Sequence, residues 1–212
     1  MAELLCLAFY QEPDEHCSIK RTRMKIRESG MPSEEMWQTF FSPAQTLQAL
    51  GLRGDMANVI DLGCGYGTFT IPAALMTTGT VYAFDIEQSM IEETRHKAED
   101  AGCLNINLYT RDFLAGGTGL GDSCADYVML FNLMHAEHPA QLLQEPSRIL
   151  TSGGLLAIMH WNYDPRTPRG PSMDIRPKPE DCVRWMEAAG FSVISAHIDL
   201  PPYHYGIIVQ KK

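Results

Sequence analysis

The residues best equipped for chemistry begin at Asp61-Leu-Gly-Cys-Gly-Tyr-Gly67, where a carboxylate stands two residues ahead of glycines 63, 65 and 67. Glycines at that spacing let the backbone approach a bound group, because no Cβ stands in the way. Val59 to Leu62 is apolar enough for a short buried strand, and Thr68 onward opens a helix. A strand, glycine turn and helix in this order hold a ligand at the carboxyl end of the strand, over the helix N-terminus. Asp61 discriminates between ligands: its carboxylate repels a pyrophosphate and attracts an ammonium group. The dinucleotide fingerprint G-x-G-x-x-G also requires a third glycine where Thr68 stands. Two further acids end strands downstream. Thr80 to Asp85 closes on a carboxylate suited to the two hydroxyls of a ribose. Ile106 to Asp112 closes on another, followed by Phe113.

A second group lies further along. Asn132-Leu-Met-His-Ala-Glu-His138 leaves the end of a fourth, near-continuously apolar strand, Asp126 to Asn132. A fifth strand, Leu155 to Trp161, delivers His160 and Trp161 to the same edge. His135 and His160 are the candidates for general acid–base work near neutral pH. His135 and His138 also have the spacing of a metal-ligand pair, but no third ligand accompanies them, and His138 reads as the cap of the next helix. The loop Asn162 to Lys178 carries Arg166, Arg169 and Arg176 among four prolines. A structureless loop of that length inside a compact domain is usually functional. Pro168-Arg-Gly-Pro171 holds Arg169 on stiff backbone, where its guanidinium can grip a carboxylate or phosphate. The basic run Lys20, Arg21, Arg23, Lys25 and Arg27 is either a solvated surface or a second basic border. Together these cations suggest a small, anionic acceptor.

The elements that position these groups alternate between strand and helix. Met31 to Phe41 reads as a helix capped by Ser33, with Trp37, Phe40 and Phe41 on one face, either as core or as a cover for the site. Pro43 to Leu52 is a second amphipathic helix. After the glycine turn come a helix over Thr68 to Met76 and one started by the capping box Ser89-Met-Ile-Glu92 and running towards Gly102. Ala115 to Ser123 is a glycine-rich loop. The helix Pro139 to Leu150 must kink or restart at Pro146, and Thr151 to Gly154 ends it. Pro179 to Gly190 is a helix whose core stripe is Cys182, Trp185, Met186 and Ala189. Phe191 to Leu200 and Tyr205 to Gln210 are joined so tightly through Pro201-Pro202 that they must pair antiparallel.

Composition narrows the function. A chain of 212 residues, 45% hydrophobic, fits one sizeable core. A net charge of −9 argues against a nucleic-acid partner. No apolar run is long enough to cross a membrane, and the N-terminus lacks the basic region of a signal peptide. The cysteines at 6, 17, 64, 103, 124 and 182 have no framework spacing and read as reduced thiols of a cytoplasmic protein. The sequence leaves oligomeric state open.

The pattern D-x-G-x-G-x-G, with Asp85 and Asp112 ending the next two strands, resembles the class I S-adenosylmethionine (SAM) methyltransferases. The likeness covers about residues 40 to 212 and is nearest the small-molecule branch typified by the ubiquinone and menaquinone C-methyltransferases. It implies an α/β fold: a Rossmann-like three-layer sandwich with a seven-stranded, mostly parallel sheet and an antiparallel last strand. Residues 1–42 would form a lid-like segment and 43–212 the catalytic domain. The implied cofactor is SAM, bound by Asp61, Gly63, Cys64, Gly65, Gly67, Asp85, Ile86, Met90, Asp112, Phe113, Asn132 and Leu133, with Asp112 facing the adenine amino group and Phe113 packing on the ring. His135, His160 and Arg169 would serve the acceptor, and no resident metal is implied. An NAD-dependent oxidoreductase and a non-catalytic SAM-binding module remain alternatives.

Overall fold

A computed structural model describes residues 32–212; the basic run Lys20 to Arg27 and Cys6 and Cys17 lie outside the described residues. The strands are β1 (Asn58–Leu62), β2 (Thr80–Asp85), β3 (Ile106–Thr110), β4 (Ala125–Phe131), β5 (Leu150–Trp161), β6 (Phe191–Leu200) and β7 (His204–Lys211). They form one sheet in the order β3-β2-β1-β4-β5-β7-β6. The pairs β1–β2, β1–β4, β2–β3 and β4–β5 are parallel. β7 runs antiparallel to both its neighbours. The last strand in sequence is therefore inside the sheet, and β6 takes the edge. Burial explains the order: β7 is apolar and covered on both faces over His204 to Val209, whereas β6 alternates covered and exposed positions as an edge strand can.

Helices cover both faces. On one, Ile60, Leu130, Ile158 and Ile207 pack against α6 (Pro139–Leu142), α7 (Gln144–Ile149) and α8 (Pro179–Ala188), through residues such as Leu142, Ile149, Cys182 and Met186. On the other, Val59, Met129, Ala157 and Ile208 pack against α2 (Pro43–Ala49) and α3 (Thr70–Met76), through Leu47, Ala73 and Ala74. Alternate residues of each central strand thus feed opposite cores. Strand order reverses between β1 and β4, and the crevice above such a reversal is where open α/β sheets hold ligands.

Local details depart from the sequence reading where tertiary contacts intervene. Ser33 precedes α1 (Glu34–Gln38) but makes no side-chain cap bond. Ser89 lies inside α4 (Gln88–Asp100) rather than capping it; Asp85 turns the chain instead, its Oδ1 accepting from the Glu87 amide at 3.0 Å. Asp112 lies beyond β3 and caps α5 (Phe113–Gly116), its Oδ1 accepting from the amides of Leu114 and Ala115. The helix with Pro146 is two short helices meeting at Leu143, so Pro146 sits in a first turn, where a missing N–H matters least. β5 starts at Leu150, whose pairing with Ala125 draws Thr151 to Gly154 into the strand across an irregular register.

Candidate active site

The glycine turn is built by its left-handed backbone. Gly63, Gly65 and Gly67 have φ of 82°, 53° and 74°, a region that side chains with a Cβ disfavour. Gly67 also lacks room: a Cβ there would stand 2.7 Å from Thr94 Cγ2. Asp85 pins the turn from the neighbouring strand, its Oδ2 accepting from the Gly65 amide at 2.9 Å. Thr94 on α4 holds it from the other side, donating to the Gly65 carbonyl at 2.9 Å.

Asp61 lies beneath this turn, 3% exposed, and accepts from the Thr70 hydroxyl at 2.6 Å. Burial pushes its carboxyl up to about 7, against the Thr70 bond and with help from the nearby Asp85 charge. Asp85 is raised as well, chiefly by burial. Two carboxylates strained in this way are primed for a cationic or hydrogen-bond-donating ligand. The Cys64 thiol is buried and pushed well up by that burial and by both acids, so it is an inert wall.

Above the turn a cleft is lined by Gly63, Asp85, Ile86, Asp112, Phe113 and Leu133, six of the residues singled out in the sequence, together with Arg111 and Leu114, which were not. Met90 lies in the first turn of α4, outside that lining. Leu133 comes close enough that a Cβ on Gly63 would stand 3.0 Å from its Cδ1. Beside it Asn132 adopts a left-handed backbone with φ 57°. Its carboxamide oxygen and nitrogen are both buried without a hydrogen-bond partner. A buried amide in that condition is worth about 1–3 kcal/mol of lost solvation, and strained residues of this kind concentrate where ligands bind.

The segment before β1 lies over the turn. The Trp37 indole donates to the Thr68 hydroxyl at 3.1 Å, the Tyr66 hydroxyl donates to the Pro32 carbonyl at 3.1 Å, and Lys97 pairs with Glu34 while donating to the Tyr66 carbonyl. Thr68, standing where a dinucleotide site would have glycine, is committed to this contact. Phe40 and Phe41 continue the aromatic stack to Trp161 and His204, with centroid separations of 5.2 and 4.6 Å.

The histidines divide between the two faces of the sheet edge. His135, in the turn after β4, and His160, at the end of β5, meet with Nδ1 and Nε2 3.2 Å apart. His160 is fully buried, and burial, reinforced by His135, drives its basicity well down. His138 begins α6 but its side chain makes no cap bond. Among the described residues no cluster of three or more His, Cys, Asp or Glu side chains is arranged to hold a metal. On the opposite face His204 is sandwiched between Trp161, at 4.3 Å, and Phe41, with neither ring nitrogen hydrogen-bonded. Burial lowers it to about 3. Sequence reading missed it because its significance comes from pairing with Trp161 across β5 and β7.

The loop arginines do not form one basic rim. Arg166 is committed to Asp164 at 2.7 Å. Arg176 is 8% exposed and donates to the carbonyls of Asn162, Asp164 and Pro171 and to the Thr167 hydroxyl, so it staples the loop together from within. Arg166 and Arg169 are both exposed, and of the two only Arg166 is held in an ion pair among the described residues.

A switch-point crevice with a pinned glycine turn, an acid beneath it and an acid at the end of the next strand suits a ligand that is cationic or donates hydrogen bonds. The chain belongs to the methyltransferase-domain family, whose model matches residues 54–187, and its domain is of the SAM-dependent kind. Over 143 residues it is 34% identical to aklanonic acid methyltransferase DauC of Streptomyces sp. (strain C5), covering 66% of this chain and 64% of that protein. Over 169 residues it is 30% identical to an uncharacterized 37.1 kDa protein in transposon TN4556 of Streptomyces fradiae, covering 74% of this chain and 48% of that one. The chain thus spans between about half and two-thirds of the length of these relatives. A SAM-dependent methyltransferase from Aquifex aeolicus shares the fold, with a TM-score of 0.74 over 89% of this chain and 97% of that chain at 24% identity.

Proposed function

We propose that the protein transfers the methyl group of SAM to a small-molecule acceptor at the carboxyl edge of the sheet. The observation that carries this reading is the unpartnered Asn132 carboxamide beside the glycine turn, in a crevice where backbone amides hold Asp85 in place. Bound there, SAM would supply an electrophilic methyl on a sulfonium. Asp61 and Asn132 would hold the amino-acid end, and the backbone of Gly63, Cys64, Gly65 and Gly67 would pass close to it. Asp85 would accept from the ribose, Asp112 would face the adenine amino group, and Ile86, Met90, Phe113 and Leu133 would supply apolar contact. The segment up to residue 42 acts as a cover and 43–212 as the catalytic domain, a division supported by the Trp37–Thr68 and Tyr66–Pro32 bonds. His135, His160 and Arg169 serve the acceptor side, in the manner of the small-molecule branch that includes the ubiquinone and menaquinone enzymes, and the free thiols Cys64, Cys103, Cys124 and Cys182 suit a cytoplasmic setting.

Calorimetric titration with SAM tests the first half of the reading: a micromolar Kd is expected, and no binding would overturn it. Release of S-adenosylhomocysteine when SAM and a metabolite extract are supplied tests the second; binding without turnover would favour a non-catalytic SAM module. NAD binding in preference to SAM would restore the oxidoreductase reading, against which Asp61 and Thr68 both weigh. With Arg166 and Arg176 engaged elsewhere, an anionic acceptor rests on Arg169. Arg169→Ala should then raise the acceptor's KM several-fold and leave SAM affinity unchanged.

A further inference from the structure

The cover rests on aromatic rings of β5 and β7. Phe40 packs on Trp161 and Tyr203, with centroids 5.2 and 6.0 Å apart, and its neighbour Phe41 lies on His204 at 4.6 Å. Trp161 backs His204 at 4.3 Å. His204 is 2% exposed, and neither ring nitrogen has a hydrogen-bond partner. A ring held in this way must be neutral, because burying an imidazolium with no acceptor costs far more than burying an imidazole. The rest of the cover is lightly fastened. α1 buries none of its five residues. Its polar anchors among the described residues are the Trp37–Thr68 bond, the Tyr66–Pro32 bond beside it and the Glu34–Lys97 pair.

We propose that this seat is a proton-linked latch: the cover closes only over neutral His204, so mild acid lifts it from the crevice. The proposal rests on residues 32–42 being a cover, and not on what the crevice binds. Lifting Phe41 wets the imidazole, which then takes up a proton as an ordinary histidine does, near pH 6.5. With the cover seated, burial holds the ring down to about 3. The closed state therefore binds fewer protons than the open one. Closure is at full strength above about pH 6.5, and weakens about tenfold for each pH unit below it until about pH 3.

The charged and titratable groups around the ring fix that sign. From the loop, the Arg176 guanidinium opposes a positive charge on His204. From β5, His160 is buried and neutral, and it and His204 each disfavour charge on the other. On β6 the residue opposite is Leu200, and the adjacent Asp199 pairs with exposed His197. On α1, Glu34 is held by Lys97 and Glu35 is exposed. No carboxylate bonds the His204 nitrogens, so none stabilises an imidazolium in the closed seat.

The test is an NMR titration of the His204 ring in the protein without ligand, assigned through its backbone. In wild type the ring should titrate more than about one unit below 6.5. Trp37→Ala, which loosens the cover at Thr68 rather than at His204, should move that titration up towards the ordinary value. Amide hydrogen exchange of residues 32–42, followed by mass spectrometry, reads the same linkage from the other side. Between pH 7 and 5.5 protection should fall about tenfold in wild type relative to His204→Phe at the same pH, a ratio that cancels the intrinsic pH dependence of exchange. A wild-type ring titrating near 6.5, a titration unmoved in folded Trp37→Ala, or equal profiles for wild type and His204→Phe overturns the latch; a merely structural His204 predicts the last two. Should either variant fail to fold, the other and the wild-type titration still decide. Calorimetry with SAM reads separately: a wild type that binds no SAM sinks the transferase reading and leaves the latch standing.

Discussion

The two halves of the sheet edge solve the same problem, holding polar groups in a buried site, in opposite ways. Over β1 and β2 the acids are fastened by direct hydrogen bonds: Asp85 accepts from the backbone amides of Gly65 and Glu87, and Asp61 from the Thr70 hydroxyl. Over β5 and β7 the polar groups are histidines with few such anchors. His160 has one neighbouring ring and one distant carbonyl, and His204 has neither nitrogen satisfied. The first half is preorganised for a ligand of fixed shape. The second keeps unspent hydrogen-bonding capacity at His204. The family's model ends at residue 187, before β6 and β7 begin.

The comparison can be broken most decisively at the turn. Gly65→Val places a β-branched residue at φ 53° and disturbs the amide that Asp85 holds. Loss of SAM affinity by at least about 100-fold is expected by calorimetry in a folded protein, as judged by circular dichroism. Asp85→Asn should cost less, about 10- to 100-fold in affinity, because one charged acceptor of about 1.5–3 kcal/mol is weakened while the turn survives.

A pH titration sharpens the contrast between the two halves. Asp61 titrates at about 7 because burial disfavours its charge, so in the free protein the ionised carboxylate is destabilising. That penalty is absent below the unfolded carboxylate range, grows between about pH 4 and 7, and is fully present above 7. A bound ammonium favours the ionised form. SAM affinity should therefore fall as pH drops below 7, by up to about tenfold per unit, and binding near pH 6.5 should release protons measurable by calorimetry in two buffers. Affinity flat from pH 5 to 8 would remove Asp61 from the site.

The smallest effect belongs to the other half. His204→Phe replaces an unsatisfied ring with an apolar one between Phe41 and Trp161. It should raise stability by about 1 kcal/mol, a rise in Tm of roughly 2–4 °C, because the buried nitrogens are removed and the stacking kept. A fall in Tm would mean that the imidazole is better accommodated than its contacts indicate.

Much of the first half was legible in the sequence because its information is local. Glycines at 63, 65 and 67 require particular backbone angles, and apolar strands ending in Asp61 and Asp85 declare their own direction. The second half depends on contacts between distant residues. That His160 would reach His135, that His204 would face Trp161, and that Arg176 would be consumed by loop carbonyls are consequences of register and packing, which no local pattern encodes. Ser33 and Ser89 failed as caps for a related reason. Ser89 follows an aspartate that had already turned the chain, so the helix began one residue before it.

The bond from the Trp37 indole to Thr68 has an optical consequence. The chain holds three tryptophans. Trp161 is 3% exposed, and Trp185 packs against the opposite core. Trp37 alone joins the cover to the residue directly after the glycine turn. Its emission therefore reports on whether the cover is seated. Lifting α1 breaks the N–H bond and wets the indole, shifting the emission to longer wavelength, so opening of the site can be timed by stopped-flow fluorescence without any added dye.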